Sequence, residues 1–239
     1  EKLFFFILNL QLLVANPVSL EFPLVPKTNC NDINGNTLPD FIATDNSGLP
    51  RTLYHIELNK MGIKILWQYS LPENQNGFFS DMLLGDFDNN GIKELIATAY
   101  LEESSDIFYV FLADAMGFYN KSPQIIGLDK AQMKLSQPRK IYPIYRNKDG
   151  TTDIILVQGS PNRRVLICKY SDGKINAIDS VGEKFLNNTS APIDISVGDF
   201  DGDGLDDIFL LNNGQKPEGY FIFSDNTEED LELIEYPQL

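Results

Sequence analysis

Histidine is almost missing from this chain: His55 is the single one in 239 residues. Ser–His–acid and Cys–His catalysis both need an imidazole placed to move a proton. His55 lies in the strand-like run Leu53-Tyr54-His55-Ile56, where a strand-face side chain is expected instead. Cysteine is nearly as scarce. Cys30 and Cys168, with one histidine, match no common zinc spacing. Cys168 sits in the apolar run Val165-Leu166-Ile167-Cys168 and is expected as a buried free thiol rather than as half of a bridge. Equally absent are a Gly-x-Ser-x-Gly elbow, a phosphate-cradling Walker loop and a His-Glu-x-x-His helix. No segment holds a 3.6-residue apolar period with caps at both ends, which excludes a helical fold. Positive charge is short as well, with 19 Lys+Arg against 34 Asp+Glu and a net charge of −15. Such a surface repels phosphate backbones and anionic lipid, so nucleic acid is excluded as a partner and a cation is favoured.

The long apolar run stands at the start. Lys2 precedes Leu3 to Val14, and the small residues Ala15 and Ser19 follow. A basic start, an apolar core and a small-residue cleavage region read as an export signal over residues 1–19. The run carries Asn9 and Gln11 and falls short of the roughly 20 apolar residues a spanning helix needs. An uncleaved anchor and a buried strand are the competing readings. The first residue is not Met, from which a sequence cut at its start is expected. Residues 20–239 have no second apolar span, so a secreted or cell-surface protein with no membrane span in its mature chain is expected.

Four segments resemble one another. They begin at Asp32 (DINGNTLPDFIA), Asp86 (DFDNNGIKELIA), Tyr145 (YRNKDGTTDIIL) and Asp199 (DFDGDGLDDIFL), a period of about 54 to 59 residues. Around each lie four short runs rich in β-branched and aromatic residues. Examples are Leu53–Leu58, Ile63–Trp67, Phe108–Leu112, Val165–Tyr170, Ile193–Val197, Ile208–Leu211, Tyr220–Phe223 and Leu231–Ile234. Breaks of Gly, Asn, Asp and Pro separate them, as strands require. Four strands per repeat predict an all-β protein, a β-propeller of four-stranded antiparallel blades. The expected repeats are about 20–72, 73–130, 131–186 and 187–239, with blade one starting near 18–22. Four blades close a small ring or form part of a larger one.

The acids concentrate in the segment between the first two strands of each repeat. In the last, Asp199, Asp201, Asp203 and Asp207 hold positions 1, 3, 5 and 9, with Gly204 at position 6. Alternate positions of a tight turn aim their oxygens inward, and the Leu205 carbonyl at position 7 adds another. Dense hard oxygens suit Ca²⁺, which takes 6–8 of them. The second loop offers Asp86, Asp88, Asn90, the Ile92 carbonyl and Glu94, with Gly91 at the turn. The first offers Asp32, Asn34, Asn36, the Leu38 carbonyl and Asp40, with Thr37 in the glycine's place. The third opens on Tyr145 and keeps only Asn147, Asp149 and Asp153, so a plain turn is expected there. Two to three calcium sites follow, ranked loop four, two, one. An EF-hand is excluded, because position 12 is Leu210 or Ala97 rather than a bidentate glutamate.

Gly85-Asp86-Phe87-Asp88 and Gly198-Asp199-Phe200-Asp201-Gly202-Asp203-Gly204, each running into an acid and a β run, resemble the FG-GAP/VCBS repeats of α-integrin head propellers and bacterial surface proteins. The resemblance implies calcium loops between strands one and two that stiffen the propeller, with partners bound elsewhere. It further implies about seven blades in a complete ring. Thr37 and Tyr145 depart from the pattern. The function implied is a non-catalytic adhesion or interaction scaffold with a protein or glycan ligand. A lectin-like propeller and an accessory propeller of a secreted hydrolase or lyase are the alternatives. Phe78, Phe79, Tyr100, Phe118, Tyr119 and Tyr142 are expected in the core between blades rather than on a sugar. Asn120-Lys121-Ser122 and Asn187-Asn188-Thr189-Ser190 contain glycosylation sequons, meaningful in a eukaryotic secretory host.

Overall fold

A computed structural model describes residues 24–29, 31–60, 62–102, 106–114, 116–127, 138–146, 150–159, 165–181, 192–212, 218–224 and 232–234. They form four antiparallel sheets of four strands each, and no helix occurs among them. Sheet one holds β1 (Leu24–Pro26), β2 (Asp40–Asp45), β3 (Thr52–Asn59) and β4 (Gly62–Ser70). Sheet two holds β5 (Gly77–Gly85), β6 (Glu94–Leu101), β7 (Asp106–Phe111) and β8 (Gln124–Gly127). Sheet three holds β9 (Pro138–Ile144), β10 (Asp153–Gln158), β11 (Val165–Ser171) and β12 (Lys174–Val181). Sheet four holds β13 (Pro192–Gly198), β14 (Asp207–Asn212), β15 (Glu218–Ile222) and β16 (Glu232–Ile234).

Within every sheet the strand order is the chain order, the up-and-down meander of a propeller blade. The first described strand of sheet one is the three-residue β1 at Leu24. The expected start near 18–22, the 1–19 leader and Cys30 lie outside the described residues. No described helix is long and apolar enough to cross a membrane.

The second strand of each sheet explains the stacking. In a strand, successive side chains face opposite sides. Leu95 and Ala97 of β6 join an apolar cluster with Ile42, Leu53 and Trp67 of sheet one. Ile96, between them, joins a different cluster with Ile141, Ile154, Leu156 and Cys168 of sheet three. Ile155 and Val157 of β10 then pack against Ile195, Ile208 and Leu210 of sheet four. Sheets two and three are thus covered on both faces, and β6 and β10 read as nearly unbroken apolar runs for that reason. The outermost strand β8 alternates half-buried and exposed.

Sheet four differs. Its Phe209 is half-buried on the side facing away from sheet three, with its ring 4.7 Å from Phe221. Among the described residues no apolar cluster joins sheet four to sheet one, and no closed ring is shown.

Specific contacts fix the joints. Trp67 meets Phe111 edge-on at 4.9 Å and donates its Nε1–H to the Asn120 carbonyl at 3.0 Å. Arg51 donates to the Gly77 and Pro72 carbonyls at 2.9 and 2.8 Å, tying the β2–β3 turn to the start of β5. Asp172 and Gly173, both at positive φ, make the two-residue hairpin between β11 and β12, where the left-handed turn matches the strand twist. Cys168 is a buried free thiol, as expected, and burial pushes it up to about 12.

Candidate metal centres

Three of the four loops between first and second strands share one hydrogen-bond scaffold. The position-1 carboxylate accepts from the backbone of the turn. Asp32 takes Gly35, Asn36 and Thr37. Asp86 takes Asn90 and Gly91, and Asp199 takes Gly202 and Gly204. Position 3 accepts from position 5: Asn34 from Asn36, Asp88 from Asn90, Asp201 from Asp203. Position 5 accepts from position 7: Asn36 from Leu38, Asn90 from Ile92, Asp203 from Leu205. The position-9 acid opens the next strand and reaches back to the position-2 N–H. Asp40 takes Ile33, Glu94 takes Phe87 and Asp207 takes Phe200. Short polar side chains at alternate positions therefore hold the turn in shape from inside.

Two of these loops gather carboxylates. Asp86, Asp88 and Glu94 bring one oxygen each within 4.8 Å of one another, and so do Asp199, Asp201 and Asp207. Asp203 falls outside the second group; its Oδ1 is taken by the Leu205 N–H at 2.7 Å. Glu94 is fully buried, and its carboxyl is pushed up to about 7. Desolvation is the first cause, with Asp88 and Asp86 adding repulsion against the backbone N–H groups of Phe87 and Glu94 itself. Three acids converging at this density fit a hard cation held by oxygens alone.

The first loop has the scaffold without the charge, and Asp32 and Asp40 form no such group with a third acid among the described residues. Thr37 holds φ at +72°, where the other two loops place Gly91 at +84° and Gly204 at +88°. Position 4 is left-handed too, at Gly35, Asn89 and Gly202. That second bend escapes the sequence reading, although Gly or Asn at position 4 of all three loops was a usable signal. Two further acid contacts were also missed. Glu57, buried on β3, accepts from Asn36 Nδ2, and buried His55 sets Nε2 3.5 Å from Asp40 Oδ2. Burial lowers the His55 pKa, against the opposing pull of Asp40.

In the third loop Asn147 and Asp149 lie outside the described residues. Tyr145 there pairs by backbone with the last loop: its N–H donates to Asp206 Oδ2 at 2.8 Å, and its carbonyl accepts from the Asp206 N–H at 2.7 Å. Among the aromatics, Phe79 and Tyr119 are core, as expected. Phe78 is half-buried against Tyr100, Tyr142 is half-buried with its hydroxyl on Asp194, and Phe118 is exposed.

No curated protein sequence matches this chain. Solved structures resemble it, two rhamnogalacturonan lyases among them. The rhamnogalacturonan lyase PL11 of Bacillus licheniformis superposes with a TM-score of 0.53 at 14% identity over 86% of this chain and 50% of that one. The exotype rhamnogalacturonan lyase YesX does so at 0.49 and 12%, over 86% and 48%. This chain therefore spans about half their length, and identities this low speak for the fold alone. Residues 146–210 match the family model of the FG-GAP-like repeat. That stretch runs from the third loop into β14 and contains the most acidic loop of all, so this chain carries an FG-GAP-like repeat at residues 146–210.

Proposed function

We propose that this chain is a calcium-stiffened run of propeller blades, secreted or displayed at a cell surface, that serves as a non-catalytic interaction scaffold. The observation carrying this reading is the convergence of three carboxylates in each of two loops that share one hydrogen-bond scaffold. Asp86, Asp88 and Glu94, with Asn90 and the Ile92 carbonyl, hold one ion. Asp199, Asp201 and Asp207, with Asp203 and the Leu205 carbonyl, hold the other. The first loop, Asp32 to Asp40, is a weaker third site. Calcium at extracellular concentration loads sites of modest affinity, which supports export together with the apolar leader-like run. The lone histidine is buried against Asp40 and away from solvent, which supports a binding role over proton-transfer chemistry.

Calorimetric titration with CaCl₂ at neutral pH tests this. Two saturable sites are expected, one lost in Asp88→Asn and the other in Asp201→Asn, with a rise in Tm on calcium addition. No heat and no Tm shift, or equal response to Mg²⁺, overturns it. The fold shared with the Bacillus licheniformis rhamnogalacturonan lyase favours a second reading, an accessory propeller of a polysaccharide-degrading enzyme. Release of unsaturated sugar by a full-length protein would support that reading over pure adhesion.

A further inference from the structure

At the end of the sheets opposite the acidic loops, a cavity of about 400 Å³ opens where three sheets meet. Sheet one contributes Val25, Lys27 and the β2–β3 turn, sheet two Phe78, Phe79 and Ser80, and sheet three Pro138 and Arg139. The volume is within the usual range of small-molecule sites.

The polar inventory of its walls is lopsided. Asp45 points four acceptor contacts inward on its own turn: Oδ1 takes the Ser47 N–H and hydroxyl, and Oδ2 takes the Arg51 and Thr52 N–H groups. Ser80 spends its hydroxyl on Thr98. Asp81, behind the wall, accepts the Ile141 N–H and feels Lys27 and Lys140. Lys140 is itself paired with Asp194. Lys27 and Arg139, both exposed, make no ion pair and no side-chain hydrogen bond among the described residues. The stem of Arg139 lies against Gly159, where an added Cβ would meet its Cδ and Nε at 3.3 Å. Free donors remain in this cavity, and the nearby acceptors are taken.

The geometry points to a binding site for a carboxylate-bearing saccharide, with Lys27 and Arg139 on the carboxylate and the carbon surface of Val25, Pro50, Phe78 and Pro138 beneath the ring. A guanidinium and an ammonium are the donors that hold a carboxylate best. A bare inorganic anion would leave the apolar floor unused. In a chain with a net charge of −15, an ammonium and a guanidinium that share one cavity and make no ion pair among the described residues mark the place where an anion is accepted. This site stands on the other end of the sheets from the calcium loops and is independent of them.

The probes are glucuronate and galacturonate, with glucose, galactose and inorganic phosphate as comparators, titrated in calcium and followed by ligand-observed NMR. Saturable uronate binding without neutral-sugar binding is expected. Combined Lys27→Gln and Arg139→Gln should raise Kd at least about tenfold, with calcium titration and Tm unchanged. Gly159→Ala, which displaces the Arg139 stem, should weaken binding in the same direction. Absent uronate binding, equal binding of neutral sugar, an unaffected double variant, or phosphate competing as well as uronate each overturns the assignment.

Discussion

Phe87 and Phe200 occupy the same place in two repeats, one residue after the opening aspartate, yet their surroundings differ. Phe87 is 1% exposed and belongs to the cluster between sheets two and three. Phe200 is 46% exposed, with the Phe221 ring beside it at 5.3 Å. Truncating Phe87 to alanine removes a fully buried ring and leaves a cavity between two sheets, a loss of about 3–5 kcal/mol. Truncating Phe200 removes a ring that is half in water already, so about 1 kcal/mol is expected, with no cavity. The preceding glycines follow suit. A Cβ on Gly85 would come within 2.8 Å of the Phe87 ring, whereas one on Gly198 would meet Phe200 at 4.0 Å. Gly85→Ala is therefore expected to destabilise by about 1–3 kcal/mol, and Gly198→Ala to be nearly neutral. Urea unfolding in saturating calcium measures all four variants, with the slope checked for constancy. Equal losses for the two phenylalanines, or a larger one at Phe200, would refute the assignment of a covered and an uncovered face.

Calcium-free protein should lose stability as pH rises. The Glu94 pKa is raised in the fold from 4.5 to about 7, so the contribution of its neutral form is complete below about pH 4.5 and gone above about 7. The span is at most about 3 kcal/mol, reduced by solvent screening of the loop. Calcium needs the ionised form, so the Tm gain on calcium addition should be larger at pH about 7.5 than at about 5.5; a pH-independent gain would count against Glu94 as a ligand. Thr37→Gly removes a β-branched residue from left-handed backbone and should stabilise by about 0.5–1 kcal/mol, read by urea unfolding; a loss would mean the Thr37 side chain has a role of its own. Asp206→Ala removes the acceptor of the Tyr145 N–H and should cost about 1–2 kcal/mol in the same assay, with Asp206→Asn closer to neutral.

The strands and the loops were legible because both are written locally. Apolar runs of strand length mark β6 and β10, and the 1-3-5-9 spacing of short polar residues fixes the turn through bonds no longer than eight positions. What stayed hidden depends on register and docking. His55 meets Asp40, and Asn36 meets Glu57, only because β2 and β3 pair Asp40 with Glu57 and Ile42 with His55. The Tyr145–Asp206 pair crosses from sheet three to sheet four. Asp203, a fourth charged ligand by spacing, stands outside the group that Asp199, Asp201 and Asp207 form, with its Oδ1 on the Leu205 N–H. Nothing within the Gly-Asp-Phe-Asp string distinguishes a phenylalanine that will be covered from one that will not.

The meander topology also sets how this array comes apart. Each sheet completes itself from one contiguous stretch of chain, and the apolar clusters join only consecutive sheets. Stability then behaves as in a one-dimensional lattice, where every unit draws on its immediate neighbours. Among the described residues sheets one and four each have a single apolar neighbour, so in this chain their amide protons are expected to exchange before those of sheets two and three, as hydrogen exchange would measure. A defect in sheet two or three severs the lattice, while the same defect in sheet four only shortens it.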